Sequence, residues 1–167
     1  LEVLVTMIPR RGEVVAQITE KSMTDVLEVR RALDAFCAEL ACDRITEEEL
    51  KNLESACRHF ENAVKTKDSR KIAQADVALH DIIVRATGNQ RLLQMINDLS
   101  QQMYRYRFEY IKDSTQHERL VDEHKIIYQS ILNKDRATAA QAARIHIDNQ
   151  EKAIIRQIRL ERQKSKV

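Results

Sequence analysis

From Thr24 onward, apolar residues recur every three or four positions, and the recurrence is broken only by short polar stretches. Val26, Leu33, Cys37 and Leu40 mark one face of a first helix running from Thr24 to about Ala41. Thr46-Glu47-Glu48-Glu49 has the form of a capping box and predicts a second helix from there to about Thr66. Asp68 stands where it can cap a third helix, which Ile72, Leu79 and Ile83 stripe and which Gly88 ends in a left-handed conformation. Asn89 caps a fourth, whose stripe is Leu92, Ile96, Leu99, Met103, Tyr106 and Tyr110. A break at Asp113-Ser114-Thr115 precedes a fifth helix, about Gln116 to Leu132, and Asp135 caps a sixth that reaches about Arg162. Residues 1–21 follow another pattern. Val3-Leu4-Val5 and Val14-Val15 favour strands around Ile8-Pro9-Arg10-Arg11-Gly12, which predicts a two-stranded ribbon with a basic tip, marginally stable without a partner.

Composition narrows the class. With Gly 2 and Pro 1 in 167 residues, the chain lacks the punctuation of a β-rich fold and is expected to be all-α. Its length suits one main domain, here residues 22–163, after a ribbon and linker (1–21) and before a solvated tail (164–167). A net charge of +2 is too small to argue for nucleic acid or a membrane surface. No apolar run is long enough to span a bilayer, and no signal-peptide pattern is present. Cys37, Cys42 and Cys57 are odd in number and lack CxxC spacing, so reduced thiols in a cytoplasmic protein are expected. The first residue is Leu1 rather than Met, which suggests a fragment or a trimmed chain.

The candidate chemistry lies on the core-facing stripes. Asp76 and His80 are one turn apart on the apolar face of the third helix, where a carboxylate and an imidazole are costly unless paired. His124 keeps core spacing with Leu120, Ile127 and Ile131, and His146 with Ala139, Ala142, Asn149 and Ala153. One histidine on an apolar face is more often a satisfied core residue than a ligand. Three of them meeting an inward carboxylate point instead to a metal at the bottom of a pocket, held by Asp76, His80, His124 and His146. That donor set suits zinc or nickel, and manganese less well. Asp81 and Asn149 are candidates to support the ligands, whereas His59 and His117 are expected at the surface or in packing. Glu123 is expected to point away from the site.

Arg30, four after Val26 and three before Leu33, also faces the core and needs an anionic partner. That partner is either an internal carboxylate or a small organic acid gripped between Arg30 and the metal, with Asn149 and Arg105 as further effector-binding candidates.

These residues resemble a known family. Leu27-Glu28-Val29-Arg30-Arg31-Ala32-Leu33-Asp34, Asp76-x-x-x-His80, Asp122-Glu123-His124-Lys125-x-Ile127 and His146 look like the C-terminal effector-binding (FCD) domain of FadR-type, GntR-family bacterial transcription regulators. The six-helix count resembles the VanR-like subgroup. The resemblance implies an antiparallel six-helix bundle, a homodimer, and operator DNA as the partner of the full-length protein. Pro9-Arg10-Arg11-Gly12 resembles the wing turn of the family's winged-helix domain, so Arg10, Arg11 and Gly12 are its DNA-contacting remnant. The helix-turn-helix of that domain does not occur in this sequence, and sequence-specific DNA binding by these 167 residues alone is not expected. The family often carries Glu where Asp34 stands, and Asp34 is given no effector role. The expected function is therefore effector sensing without catalysis. A hydrolase-like metalloenzyme, a structural metal site and a metal sensor are the alternatives.

Overall fold

The computed structural model describes residues 5–8, 12–15 and 20–164, with side chains described for 20–100, 108, 110–160 and 163. Strands β1 (Val5–Ile8) and β2 (Gly12–Val15) pair antiparallel in the register Val5↔Val15 to Ile8↔Gly12. Six α-helices follow among the described residues, α1 (Glu20–Arg44), α2 (Glu47–Lys65), α3 (Ser69–Ala86), α4 (Gln90–Lys112), α5 (His117–Leu132) and α6 (Arg136–Lys164), with a short 3-10 helix, Ser114–Gln116, between α4 and α5. The ribbon and the all-α bundle are thus as the pattern predicts. Helix α1 starts four residues earlier and ends three later than its stripe implies, at Glu20 and Arg44. Arg10 and Arg11 lie outside the described residues, as do residues 165–167 of the expected tail.

Helix boundaries are set locally. Thr46 Oγ1 accepts the Glu49 N–H at 3.2 Å while the Glu49 carboxylate accepts the Thr46 N–H at 2.9 Å, closing the capping box. Asp68 accepts from the N–H groups of Arg70 and Lys71, Asn89 from those of Arg91 and Leu92, and Asp135 from that of Thr138. Gly88 takes φ +63° after α3, where a Cβ would be strained. At the end of α5, Lys134 takes φ 56° instead, and the Asp135 and Lys134 N–H groups bond the carbonyls of Ser130 and Ile131. This is a Schellman ending with lysine in the usual glycine position. Nothing in the local sequence pointed to it.

Helix α1 lies along α6, and ion pairs fix their sense. Glu20 at the start of α1 meets Arg159 near the end of α6, Arg31 meets Asp148 and Glu151, and Glu39 and Asp43 meet Arg136 at the start of α6. The two helices are therefore antiparallel. Helix α3 packs on α2, α4 and α1, and α5 on α6 and α2, around a core that includes Leu27, Leu53, Phe60, Ile72, Leu79, Leu120, Ile127 and Ile131. Cys37 and Cys42 are buried and free, and burial pushes the Cys37 thiol up to about 12. No described helix is long and apolar enough to cross a membrane.

Candidate metal centre

Helix α3 buries Ile72, Ala75, Asp76, Leu79 and Ile83 on one face and sends Asp76 and His80 into the bundle from successive turns. His124 arrives from α5 between Leu120 and Ile127, and His146 from α6, where Ala139, Ala142 and Ala143 leave space around it. Asp76, His124 and His146 are each 1% exposed, and His80 is half-buried. One ligand atom from each of the four lies within 4.8 Å of the others. Opposite ligands on a metal with bonds of about 2.1 Å would be about 4.2 Å apart, so the cluster is slightly wider than one coordination shell and small side-chain shifts would close it. The Nε2 atoms of His124 and His80 stand 3.3 and 3.7 Å from Asp76 Oδ1, and the three imidazole centroids are 4.9–5.2 Å apart.

The chemistry of the set fits a divalent ion. Neither ring nitrogen of His124 makes a hydrogen bond with the described residues, although the ring is fully buried against Phe60, centroid to centroid 4.4 Å. Such a group is expensive in a core unless something else binds it. Burial, with smaller contributions from His146 and His80, pushes the His124 imidazole down to about 4 against the opposing pull of Asp76. The ring is thus neutral at physiological pH and offers the lone pair that a metal needs.

Behind His146 stands a carboxylate expected elsewhere. Glu123 does not point away: its Oε2 is 2.7 Å from His146 Nδ1, and its Oε1 accepts from Asn149 Nδ2 at 2.7 Å. Burial alone would raise the Glu123 carboxyl, but the hydrogen bond with His146, the Asn149 amide and the Arg119 charge hold it below the usual glutamate range. A carboxylate on Nδ1 fixes the proton there and leaves the Nε2 lone pair as the one a metal could use. Gln150, one turn after His146, places its amide nitrogen 2.8 Å from that Nε2. The narrow 3–4 spacing of the apolar stripes does not by itself mark Glu123 or Gln150 as buried. The buried band of α5 is wider and takes in His117, Glu123 and Ser130, and Gln150 keeps the i+4 spacing from His146.

The remaining candidates separate. Asn149 supports Glu123, whereas Asp81 pairs with Arg85 on the outer face of α3 and does not support the cluster. His59 is exposed, and His117 is buried with its Nε2 2.7 Å from the Ile111 carbonyl oxygen. Arg30 is buried as expected, but its Nε and Nη2 lie 2.9 and 2.8 Å from Asp34 Oδ2 and its Nη1 donates to Ser100 Oγ at 2.8 Å. The Arg105 side chain lies outside those described. Gly12 opens β2 opposite Ile8. The expected pocket proves small: a cavity of about 10 Å³, lined by Asp34, Cys37, His80, Ile127, Ala143 and His146, has room for about one water. Asp34, given no role from the sequence, is thus part of the wall facing two of the histidines.

Residues 25–149 match the family model of the FCD domain. The chain belongs to the FCD domain family. This FCD domain is 28% identical over 148 residues to the gluconate operon transcriptional repressor of Bacillus subtilis, a match covering 84% of this chain and 60% of the repressor. It also superposes on Escherichia coli McbR/YncC with a TM-score of 0.80 at 17% identity, over 92% of this chain and 77% of that one. On the metal-free FCD domain of TM0439 the TM-score is 0.65 at 22% identity, over 84% of this chain and 96% of that one. The resemblance drawn from the helix motifs is borne out, and the structural neighbours share the helical-bundle fold.

Proposed function

We propose that this FCD domain is the effector-sensing part of a GntR-type transcription regulator. Asp76, His80, His124 and His146 would hold a divalent metal, zinc before nickel or manganese, and a small organic acid would bind at its open side. The observation that carries this is the convergence of one carboxylate and three imidazoles from three helices, within 4.8 Å, inside an otherwise apolar core. Zinc is favoured because neutral imidazoles dominate the donor set. A bound metal would act as a Lewis acid for a carboxylate. The chain's own part is to keep His124 neutral, to fix the His146 tautomer through Glu123, and to exclude bulk water. An acid is the favoured effector class because a buried guanidinium, Arg30, shares a neighbour, Asp34, with the wall of the metal cavity. The gluconate operon named for the Bacillus subtilis repressor fits that class, since gluconate is a hydroxycarboxylate.

Signalling would follow from geometry. The ligands tie α3, α5 and α6 together, and α1 lies against α6 and directly follows the ribbon segment. An effector that binds one arrangement of α1 better than another shifts the population toward it. In the full-length homodimer this would change how the winged-helix domains, including the wing residues Arg10, Arg11 and Gly12, meet operator DNA. Asn149 and Arg105 remain proposed effector contacts.

Calorimetry with a panel of small carboxylic acids, gluconate included, on metal-loaded and chelator-stripped protein tests this. Binding that needs the metal, occurs without turnover, and is lost in His80→Ala and Arg30→Ala is the expected result, with metal content surviving Arg30→Ala. Turnover of an acid would favour an enzyme. Indifference to every acid would leave the metal itself as the signal, a second reading that the water-sized cavity and the engaged Arg30 favour.

A further inference from the structure

Gln150 is 1% exposed, yet its Oε1 has no hydrogen-bond partner among the described residues. Its other amide atom, Nε2, lies 2.8 Å from His146 Nε2. Because Glu123 accepts a hydrogen bond from the Nδ1–H of His146, the Nε2 of the neutral ring carries a lone pair, and the amide N–H of Gln150 donates into it. The same lone pair is the one a metal would use. Two acceptors of one electron pair cannot be served together, so the amide and the metal compete for His146.

Competition alone would be a defect, but the placement of Gln150 makes it useful. It stands on α6 one turn beyond His146, on the same buried face. Once displaced, its amide would still be beside the metal ligands, now with two N–H donors free and an acceptor already buried without a partner. A carboxylate or water on the metal's open side is the natural recipient of those bonds. An amide can serve either: it donates to a carboxylate and accepts from a water.

We propose that Gln150 caps the metal-facing nitrogen of His146 in the metal-free fold and, when metal takes that nitrogen, is released to hold the metal's non-protein ligand. The assignment rests on the metal reading above, and makes Gln150 a positioning residue of that site. Loss of metal would return the amide to His146, so the site alternates between a self-satisfied and a ligand-ready arrangement.

Cobalt(II) and acetate, the latter small enough for a confined site, are the probes. Apo protein is titrated with cobalt(II) against a competing chelator, and the cobalt(II) form is then titrated with acetate while its visible absorption is followed. Gln150→Leu should bind cobalt(II) several-fold more tightly than the native chain, because the internal competitor is gone. Its acetate affinity should fall about tenfold, the value of one lost hydrogen bond. Gln150→Met, which preserves more of the side-chain length, should behave the same way, with thermal melting showing that both variants fold. Native cobalt(II) and acetate affinities in both variants would overturn the assignment and leave the metal reading standing. So would a loss of cobalt(II) binding as large as that of His146→Ala, since Gln150 would then be a ligand itself. Failure of the native chain to take cobalt(II) at all would overturn the metal reading and this assignment together.

Discussion

Arg30 and Asp34 form a buried ion pair one turn apart on α1, with the Arg30 Nη2 2.8 Å from Asp34 Oδ2 and both side chains almost wholly removed from water. Asp34 is the internal partner that a core-facing arginine requires, and it also lines the small cavity beside His80 and His146. Removing one member leaves the other charged and buried. Asp34→Ala should therefore destabilise the fold by about 3–5 kcal/mol, whereas the double variant Arg30→Met/Asp34→Leu should recover most of that loss. Urea denaturation of the native chain, both single variants and the double variant checks this. The double variant also supplies a folded background in which to repeat the acid titration without the guanidinium.

Metal binding should stabilise the fold. A ligand present at 1,000 times its Kd, bound only by the native state, contributes about 4 kcal/mol. In a chain of this size that raises the Tm by about 10 °C. Thermal melts with zinc, with chelator, and with zinc restored should show a reversible shift. His124→Phe, which keeps a ring against Phe60, should fold without responding to zinc. A zinc-induced shift that survives this change would remove His124 from the ligand set.

Glu123 would act on a bound metal through His146. Glu123→Gln keeps the size and can still face Nδ1, but it no longer supplies a charged acceptor. Metal affinity should fall 10- to 100-fold with little change in the melting of the metal-free chain. Competitive titration with a chromophoric chelator measures it. An unchanged affinity would show that the 2.7 Å contact does not tune the ligand.

Acid should weaken the metal-free fold in a definite window. His124 is held neutral in the native state down to about pH 4, whereas in the unfolded chain it takes a proton near 6.5. Between those values the unfolded state binds more protons, so stability rises with pH, and it drains away as pH falls from 6.5 toward 4. The total is about 3 kcal/mol. Glu123, whose carboxyl is held low in the native state, adds a second loss at lower pH, as the medium falls through 4.5 and below. Urea midpoints from pH 7 to pH 4 should decline for the native chain, and His124→Phe should flatten the upper part of that decline.

Helix boundaries were legible because their causes span three or four residues. The Thr46–Glu49 box and the caps at Asp68, Asn89 and Asp135 are side chains bonding to backbone one turn away. Lys134 was not legible, because lysine in a left-handed position has no compositional mark. The four ligand candidates were legible as well, since a polar residue on an apolar stripe must face inward. Glu123 escaped because a side chain beside His124 can still reach the core when the buried band is broad.

Sequence by itself determined which residues are helical, which faces are buried, and therefore that Asp76, His80, His124 and His146 would enter the core. Those are properties of a repeating backbone, and neighbours along the chain suffice to set them. Only the tertiary structure decided that the four come within 4.8 Å of one another, that Asp34 pairs with Arg30, that Glu123 and Gln150 take opposite nitrogens of His146, and that the cavity beside them is the size of a water. Distances between helices depend on how their side chains interlock, and no periodicity within one helix encodes how far it stands from the next.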